Sequence, residues 1–238
     1  FFSHLDSVAP DEMRQRLEFV DRRILENGVT YNVYAAPDGA DRPWALDPVP
    51  LIIPPEEWAE VSAAVAQRAA MLNAMLADLY GPQTLLAEGL LPPALVYGQL
   101  GYLWPCHGIK PPGDVWLHNY AVDLARSPDG RWWVIADRTQ APSGAGYALE
   151  NRLIVSRVFP EMFRDLHVQH LADFFRDQLD GLSALAPVEG DEQPHIVLLT
   201  PGPYNETYFE HAYLARYLGF PLVEGQDLTV RGDTLYLK

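Results

Sequence analysis

The stretch VWLHNYAVDLARSPDGRWWVIADRTQAPSGAGYALENR, residues 115–152, decides how this chain folds. Residues 115–125 and 131–139 are strand-like runs around Pro128-Asp129-Gly130, the composition of a three-residue hairpin loop whose glycine takes the left-handed position. Ser127 then faces Arg131, which sets Asp123 opposite Ile135 and Asp137 opposite Ala121. Because side chains alternate faces, the two acids are expected on one face as diagonal neighbours, about 7–8 Å apart at the backbone. Ala121 and Ala125 are small residues on the same face and leave room for a ligand. Two converging carboxylates completed by water or phosphate oxygens suit magnesium better than zinc, so Asp123 and Asp137 are the candidate metal ligands. The alternative is a solvent-facing hairpin edge, and a one-residue change of register would put the acids on opposite faces.

The hairpin runs into Thr139-Gln140-Ala141-Pro142-Ser143-Gly144-Ala145-Gly146, a small-residue loop rich in hydrogen-bonding groups, and then into a helix expected over 145–158. Gly144 and Gly146 would let backbone amides approach phosphate oxygens at the helix start, although an ordinary helix-entry loop has the same composition. No Gly-Lys-Ser or Gly-Lys-Thr follows, and the glycine spacing is not that of a dinucleotide fingerprint.

Upstream, Met13, Leu17, Val20, Ile24 and Leu25 lie at helical spacing with Gly28 as a stop, which predicts a helix over 11–27. Residues 29–34 read as a strand turned by Pro37-Asp38-Gly39 toward Trp44. Pro54-Pro55-Glu56-Glu57 opens a long helix through Tyr80, and residues 90–113 are loops and short turns. Downstream, a second helix is expected over 161–185, with Phe163, Leu166, His170, Leu171, Phe174, Leu179 and Leu182 on one stripe. Residues 187–194 read as a linker. Strands over 195–200 and 221–224 flank a helix over 206–218, a βαβ unit with a parallel pairing. Two more strands, 228–231 and 234–237, are joined at Gly232-Asp233. The domain division expected from this order is 1–186, the linker 187–194, and 195–238.

The chain has 238 residues with 17 basic and 32 acidic side chains, a formal charge of −15. That charge argues against a nucleic-acid groove, which needs a basic footprint. No run reaches the ~20 apolar residues of a membrane span, and the first residues lack a signal-peptide pattern. One cysteine, Cys106, excludes an internal disulfide framework and a cysteine zinc cage, and fits a reducing, cytoplasmic location. Lys110 and Lys238 are the only lysines. The absence of an initiator methionine and the strand signal just before Lys238 suggest a piece of a longer chain.

Other candidate sites weigh less. Cys106-His107 is a possible nucleophile and base, but neighbours on an extended chain point apart, and a packed cysteine is the commoner case. His167 and His170 have helical i,i+3 spacing for a metal, yet His170 lies on the apolar stripe, which favours a packed histidine. Asn205, Glu206 and Tyr208 follow the carboxyl end of a strand, where open α/β sheets bind ligands, and are the candidate substrate contacts; Asn205 also suits a helix cap.

Five runs together resemble the circularly permuted ATP-grasp family, in the branch related in fold to glutathionylspermidine synthetase: Gly28 to Tyr34, Asp78 to Gln83, Pro105 to Gly108, Asp137 to Arg152 and Thr200 to Glu210. The resemblance implies an α+β, part α/β fold: a permuted ATP-grasp segment with an antiparallel hairpin sheet and helices, followed by the start of a pre-ATP-grasp-like domain. It implies ATP-dependent joining of a small-molecule or peptide carboxylate to an amine through an acyl phosphate, with ATP and magnesium as cofactors. By the same resemblance Asp123 and Asp137 hold the metal. Thr139, Gln140, Ser143, Gly144, Gly146, Glu150 and Asn151 would line the nucleotide, and Arg138 and Arg152 would meet phosphate or substrate carboxylate. The family's Glu-x-Asn pattern is absent here, where the second strand reads Ala136-Asp137-Arg138-Thr139-Gln140. Phosphate-binding lysines are expected beyond residue 238, so this chain alone is expected to turn over ATP poorly. The competing expectation is a non-catalytic ATP-grasp-like scaffold that binds a partner.

Overall fold

The computed structural model describes residues 1–34, 42–187 and 194–238. Its helices and strands follow in order: α1 (Phe2–Leu5), α2 (Pro10–Glu26), α3 (Pro55–Leu79), α4 (Thr84–Ala87), α5 (Pro93–Tyr97), β1 (Ala121–Arg126), β2 (Trp132–Arg138), α6 (Ala145–Val158), α7 (Pro160–Asp165), α8 (Ala172–Ala184), β3 (Leu198–Leu199), α9 (Tyr208–Leu218), β4 (Leu222–Val223), β5 (Leu228–Arg231) and β6 (Thr234–Leu237). Two compact units contain them. One comprises residues 1–52 and 143–238, and the other comprises 53–142. The expected linker, 187–194, lies outside the described residues except at its two prolines, and so does the expected turn at Pro37-Asp38-Gly39.

In the first unit α6 is the central helix. Tyr147, Ile154, Val155 and Val158 pack with Val20 and Ile24 of α2, Val29, Phe159 and Met162. Leu149, on another side of α6, packs with Phe175 of α8 and Tyr213 of α9. A helix covered on more than one side loses the single apolar stripe of a surface helix. Helix α2 starts with Pro10, Asp11 and Glu12, a first turn suited to proline and to acids beside the positive end of the helix dipole. It ends where Gly28 turns to φ 63°, and the Val29 N–H reaches back to the Ile24 carbonyl at 3.0 Å. The expected strand over 29–34 is reduced to one bridge, Thr30 with Pro43, flanked by bonds from Tyr31 to Arg42 and from Trp44 to Val29.

The helix expected over 161–185 breaks between α7 and α8, where His167 adopts φ 50°. That break removes the i,i+3 relation of His167 and His170, and both are exposed rather than packed. β3 and β4 pair in parallel around α9 as expected, but each strand is two residues long. β5 and β6 form the expected antiparallel hairpin. Among the described residues no helix is long and apolar enough to cross a membrane.

In the second unit α3 packs along the β1–β2 hairpin. Glu57, near its start, accepts the Trp132 indole N–H at 2.6 Å and pairs with Arg126 at 2.8 Å. Asn73, further along, accepts the backbone N–H groups of Trp116 and Leu117 at 2.7 and 3.0 Å. Those bonds hold residues 116–117 outside the ladder, so β1 begins at Ala121 rather than Val115. At the hairpin tip Gly130 has φ 85°, and a Cβ there would meet only an Arg126 nitrogen at 3.9 Å. Gly130→Ala is therefore expected to cost about 1 kcal/mol through backbone strain alone, read as a lower urea midpoint at unchanged slope. An unchanged midpoint would show that the tip does not need the left-handed conformation.

Candidate functional site: a hairpin of paired charges and a self-capped helix

The ladder between β1 and β2 starts from the tip in the expected register, with Arg126 opposite Trp132, Ala125 opposite Trp133 and Leu124 opposite Val134. A bulge then leaves Ile135 without a partner. Beyond it Asp123 lies opposite Ala136, Val122 opposite Asp137 and Ala121 opposite Arg138. The shift corrects the expected geometry: Asp123 and Asp137 stand on opposite faces of the hairpin, because one inserted residue reverses every later side chain.

Each acid has its own guanidinium. On the open face Asp123 accepts from Arg138 Nη2 at 2.8 Å and Nε at 3.1 Å. On the face toward α3 Asp137 accepts from Arg68 Nε at 2.6 Å and Nη2 at 2.7 Å, and from the Tyr120 hydroxyl at 2.6 Å. Together the Arg68 and Tyr120 hydrogen bonds hold the Asp137 carboxyl down at about 2. Asp137 pushes the Arg68 guanidinium the other way, above its ordinary value. Among the described residues no three His, Cys, Asp or Glu side chains converge as a metal-ligand set. With their carboxylates on opposite faces, both Asp137 oxygens bonded to Arg68 and Asp123 Oδ2 bonded to Arg138, Asp123 and Asp137 do not fit a shared divalent cation.

The end of the small-residue loop, Ser143 to Gly146 in the first unit, has an anion at its helix start, and that anion belongs to the chain. Gly144, at φ 116°, donates its N–H to both oxygens of Glu210, at 2.7 and 2.9 Å, and the Gly146 N–H donates to Oε1 at 2.7 Å. Glu210 sits on α9 and is 2% exposed. Its carboxylate takes the place a phosphate would need at the N-terminus of α6. The same packing requires glycine at 146, where a Cβ would stand 2.8 Å from Glu210 Cγ.

Neighbouring candidates are internal as well. Glu150 is buried and accepts from Asn27 Nδ2 at 2.5 Å and from the Tyr213 hydroxyl. Asn151 accepts the Trp44 indole N–H at 2.9 Å. Burial pushes the Tyr147 and Tyr213 phenols above their ordinary values, with Glu210 adding to the first and Glu150 to the second. Thr139, Gln140 and Ser143 are exposed. Arg152 is different again. Its guanidinium donates to the Gln169 carbonyl at 2.5 Å, lies over the Phe163 ring at 5.7 Å and meets no carboxylate among the described residues, while burial lowers its pKa.

At the carboxyl end of β3 the loop through Asn205 enters α9. Asn205 Oδ1 accepts the Thr207 N–H and hydroxyl at 3.0 and 2.8 Å, a turn ahead of the helix rather than the expected cap, since the N-cap position of α9 is Thr207. Glu206 is exposed, and its carbonyl accepts the Asn32 N–H at 3.3 Å. Tyr208 is half-buried at the first turn of α9. Cys106 and His107 lie at the end of a short 3₁₀ turn in the second unit. Arg68, Tyr120 and Glu210 carry much of this geometry, yet nothing local in the sequence marks them, since their partners are distant in the chain.

Mixed helices and small two-stranded sheets, antiparallel at the hairpin and parallel around α9, are consistent with an α+β protein of ATP-grasp type. Residues 50–238 match the model of circularly permuted ATP-grasp type 2 proteins, and the chain belongs to that family. An uncharacterized protein of Synechocystis sp. is 38% identical over 234 residues, covering 98% of this chain and 48% of that protein. An uncharacterized Mycobacterium tuberculosis protein is 40% identical over 232 residues, covering 94% of this chain and 26% of its own length. One from Mycobacterium leprae is 36% identical over 237 residues, covering 99% and 41%. The chain thus spans between about a quarter and half of the curated relatives it matches.

Proposed function

We propose that this chain is part of a larger cytoplasmic ligase, of the branch related to glutathionylspermidine synthetase, that uses ATP to join a small-molecule or peptide carboxylate to an amine. ATP, when bound, supplies the γ-phosphoryl group that converts the acid into an acyl phosphate; the amine then forms the amide and phosphate leaves. Membership of the ATP-grasp family supports the ATP-dependent chemistry. Family members use magnesium with ATP, but Asp123 and Asp137 do not fit a shared cation, and no step here runs through one.

The observation that carries the reading is Arg152. Among the described residues this partly buried guanidinium has only a carbonyl and an aromatic face for company, which keeps donors free for an oxyanion, and its planar fork suits a carboxylate or phosphate. Arg138 is a weaker candidate for the same work. Its exposed pair with Asp123 is of the kind that contributes about 0–1 kcal/mol, so an incoming oxyanion competes with it at small cost. Thr139, Gln140 and Ser143 remain available to a nucleotide because they are exposed. Asn205, Glu206 and Tyr208 remain candidates for the substrate by their place after a parallel strand.

The test is ADP and phosphate release by the full-length parent over a panel of acids and amines, with calorimetry of ATP binding. Release that requires both an acid and an amine is the expected result. Arg152→Lys, which keeps the charge and loses the fork, is expected to lower kcat/KM about tenfold. If ATP does not bind and no ADP appears, the ligase reading fails. The non-catalytic scaffold would then stand, favoured by the two acids tied to arginines and the α6 N-terminus closed by Glu210.

A further inference from the structure

Loop 200–207 takes its shape from a chain of hydrogen bonds that passes through His211. The Gly202 N–H donates to Thr200 Oγ1 at 3.1 Å, and Thr200 Oγ1 lies 2.9 Å from His211 Nδ1. On the other side of the ring Nε2 lies 3.2 Å from Thr207 Oγ1, and the Thr207 hydroxyl donates to Asn205 Oδ1 at 2.8 Å. A hydroxyl has one proton to give. Thr207 gives its proton to Asn205, so Thr207 Oγ1 accepts, and Nε2 of His211 must carry a hydrogen. Nδ1 is then the acceptor for the Thr200 hydroxyl, which already accepts from Gly202. Every link runs in one direction only when the imidazole is neutral.

We propose that His211 is a positioning residue that holds loop 201–207 in its ligand-facing shape as the neutral Nε2–H tautomer, which makes this loop an acid-sensitive part of the substrate site. The ligand-facing role rests on the reading of this loop as a substrate contact; the tautomer and its coupling to the loop rest on the hydrogen bonds alone. A second proton, on Nδ1, would face the Thr200 oxygen as a donor. The Thr200 hydroxyl would then have to turn away within a residue that is 3% exposed. Burial lowers the His211 pKa below its ordinary value, and the Glu210 charge beside it on α9 opposes the shift. The other acids on elements packed against α9 are Glu150 on α6, Glu224 after β4, whose carboxylate lies against Gly202, and Asp173, Asp177 and Asp180 on α8, which meets α9 through Phe175 and Tyr217. Since the folded pKa lies below the unfolded one, the stabilisation is full above the ordinary histidine range and fades as pH falls through it.

Imidazole and amide NMR of the full chain across about pH 4.5–8 tests this. A single Nε2–H tautomer at neutral pH is expected, with the Gly202 and Thr207 amides shifting at the His211 midpoint, below the ordinary histidine value. His211→Gln keeps a donor for Thr207 and cannot titrate, so in that variant the two amides are expected to stop moving. An Nδ1–H tautomer, or amides that move unchanged in His211→Gln, would overturn the proposal. These readouts need no ligand, so they stand or fall apart from the ligase assay. Where that assay gives turnover, acidification through the same midpoint is expected to raise KM for the acid or the amine with kcat held. A KM indifferent to this titration would remove the ligand-facing role.

Discussion

Replacing Glu210 with alanine is expected to cost about 3 kcal/mol of stability, because the change strands buried donors at a helix start and leaves a void. The Gly144 and Gly146 amides have no partner within α6, as is true of the first N–H groups of any helix, and Glu210 satisfies them from another helix at 2.7–2.9 Å. Its charge also lies at the positive end of the α6 dipole, a location worth up to ~2 kcal/mol when partly buried. Glu210→Gln keeps the shape and one acceptor while losing that charge, so a smaller loss is expected. Gly146→Ala attacks the same contact from the other side, with its Cβ 2.8 Å from Glu210 Cγ and 3.3 Å from Leu214 Cγ, and overpacking of this kind costs about 1–3 kcal/mol. Urea unfolding at constant slope measures all three. In Glu210→Ala, formate or acetate is expected to recover part of the loss by binding the vacated amides of the folded state. A loss under about 1 kcal/mol without added anion would mean that water serves the α6 N-terminus as well as the carboxylate does.

Acidification is expected to remove about 1.5 kcal/mol from the chain through Asp137 alone, most of it between about pH 4 and pH 2. The Arg68 fork and the Tyr120 hydroxyl hold this carboxyl at about 2 in the folded chain, below its value of 3.8 when free. The folded state therefore binds fewer protons, and the stabilisation is present above the free value and lost as pH falls through the folded one. The full shift would correspond to more, but the Asp137 side chain is 25% exposed and water screens part of it. Arg68→Met returns the Asp137 carboxyl toward its ordinary range. The difference between the stability–pH curves of wild type and variant then isolates this pair from Asp78, Asp129, Glu161 and Asp165, whose carboxyls are also held low. Coincident curves would show that the fork does not act on Asp137 in solution.

Helix α6 shows what local sequence can carry. Its span was readable from Gly144 and Gly146 at the start and from the apolar residues up to Val158, since helix ends follow from residues within a turn of them. The tips at Gly130 and Gly232, the stop at Gly28 and the parallel pairing around α9 were readable for the same reason. The helix expected over 161–185 fails because its apolar spacing continues through residues 166–171, where the backbone turns at His167. The hairpin fails at one place. Counting outward from the tip assumes an unbroken ladder, and nothing in Val134-Ile135-Ala136 announces that Ile135 will be left over.

That single residue separates what the chain's own order determined from what folding decided. The sequence by itself determined the family, the hairpin, the order of helices and strands, and the residues that crowd 137–152, because periodicity, turn chemistry and family runs are short-range properties. Only the tertiary structure decided where those residues point and what they bind. Asp137 finds Arg68 across 69 residues, and Gly144 finds Glu210 across 66. Partners that far apart meet through the packing of α3 on the hairpin and of α9 on α6, so a local pattern can identify a carboxylate but cannot say which cation or amide it will meet.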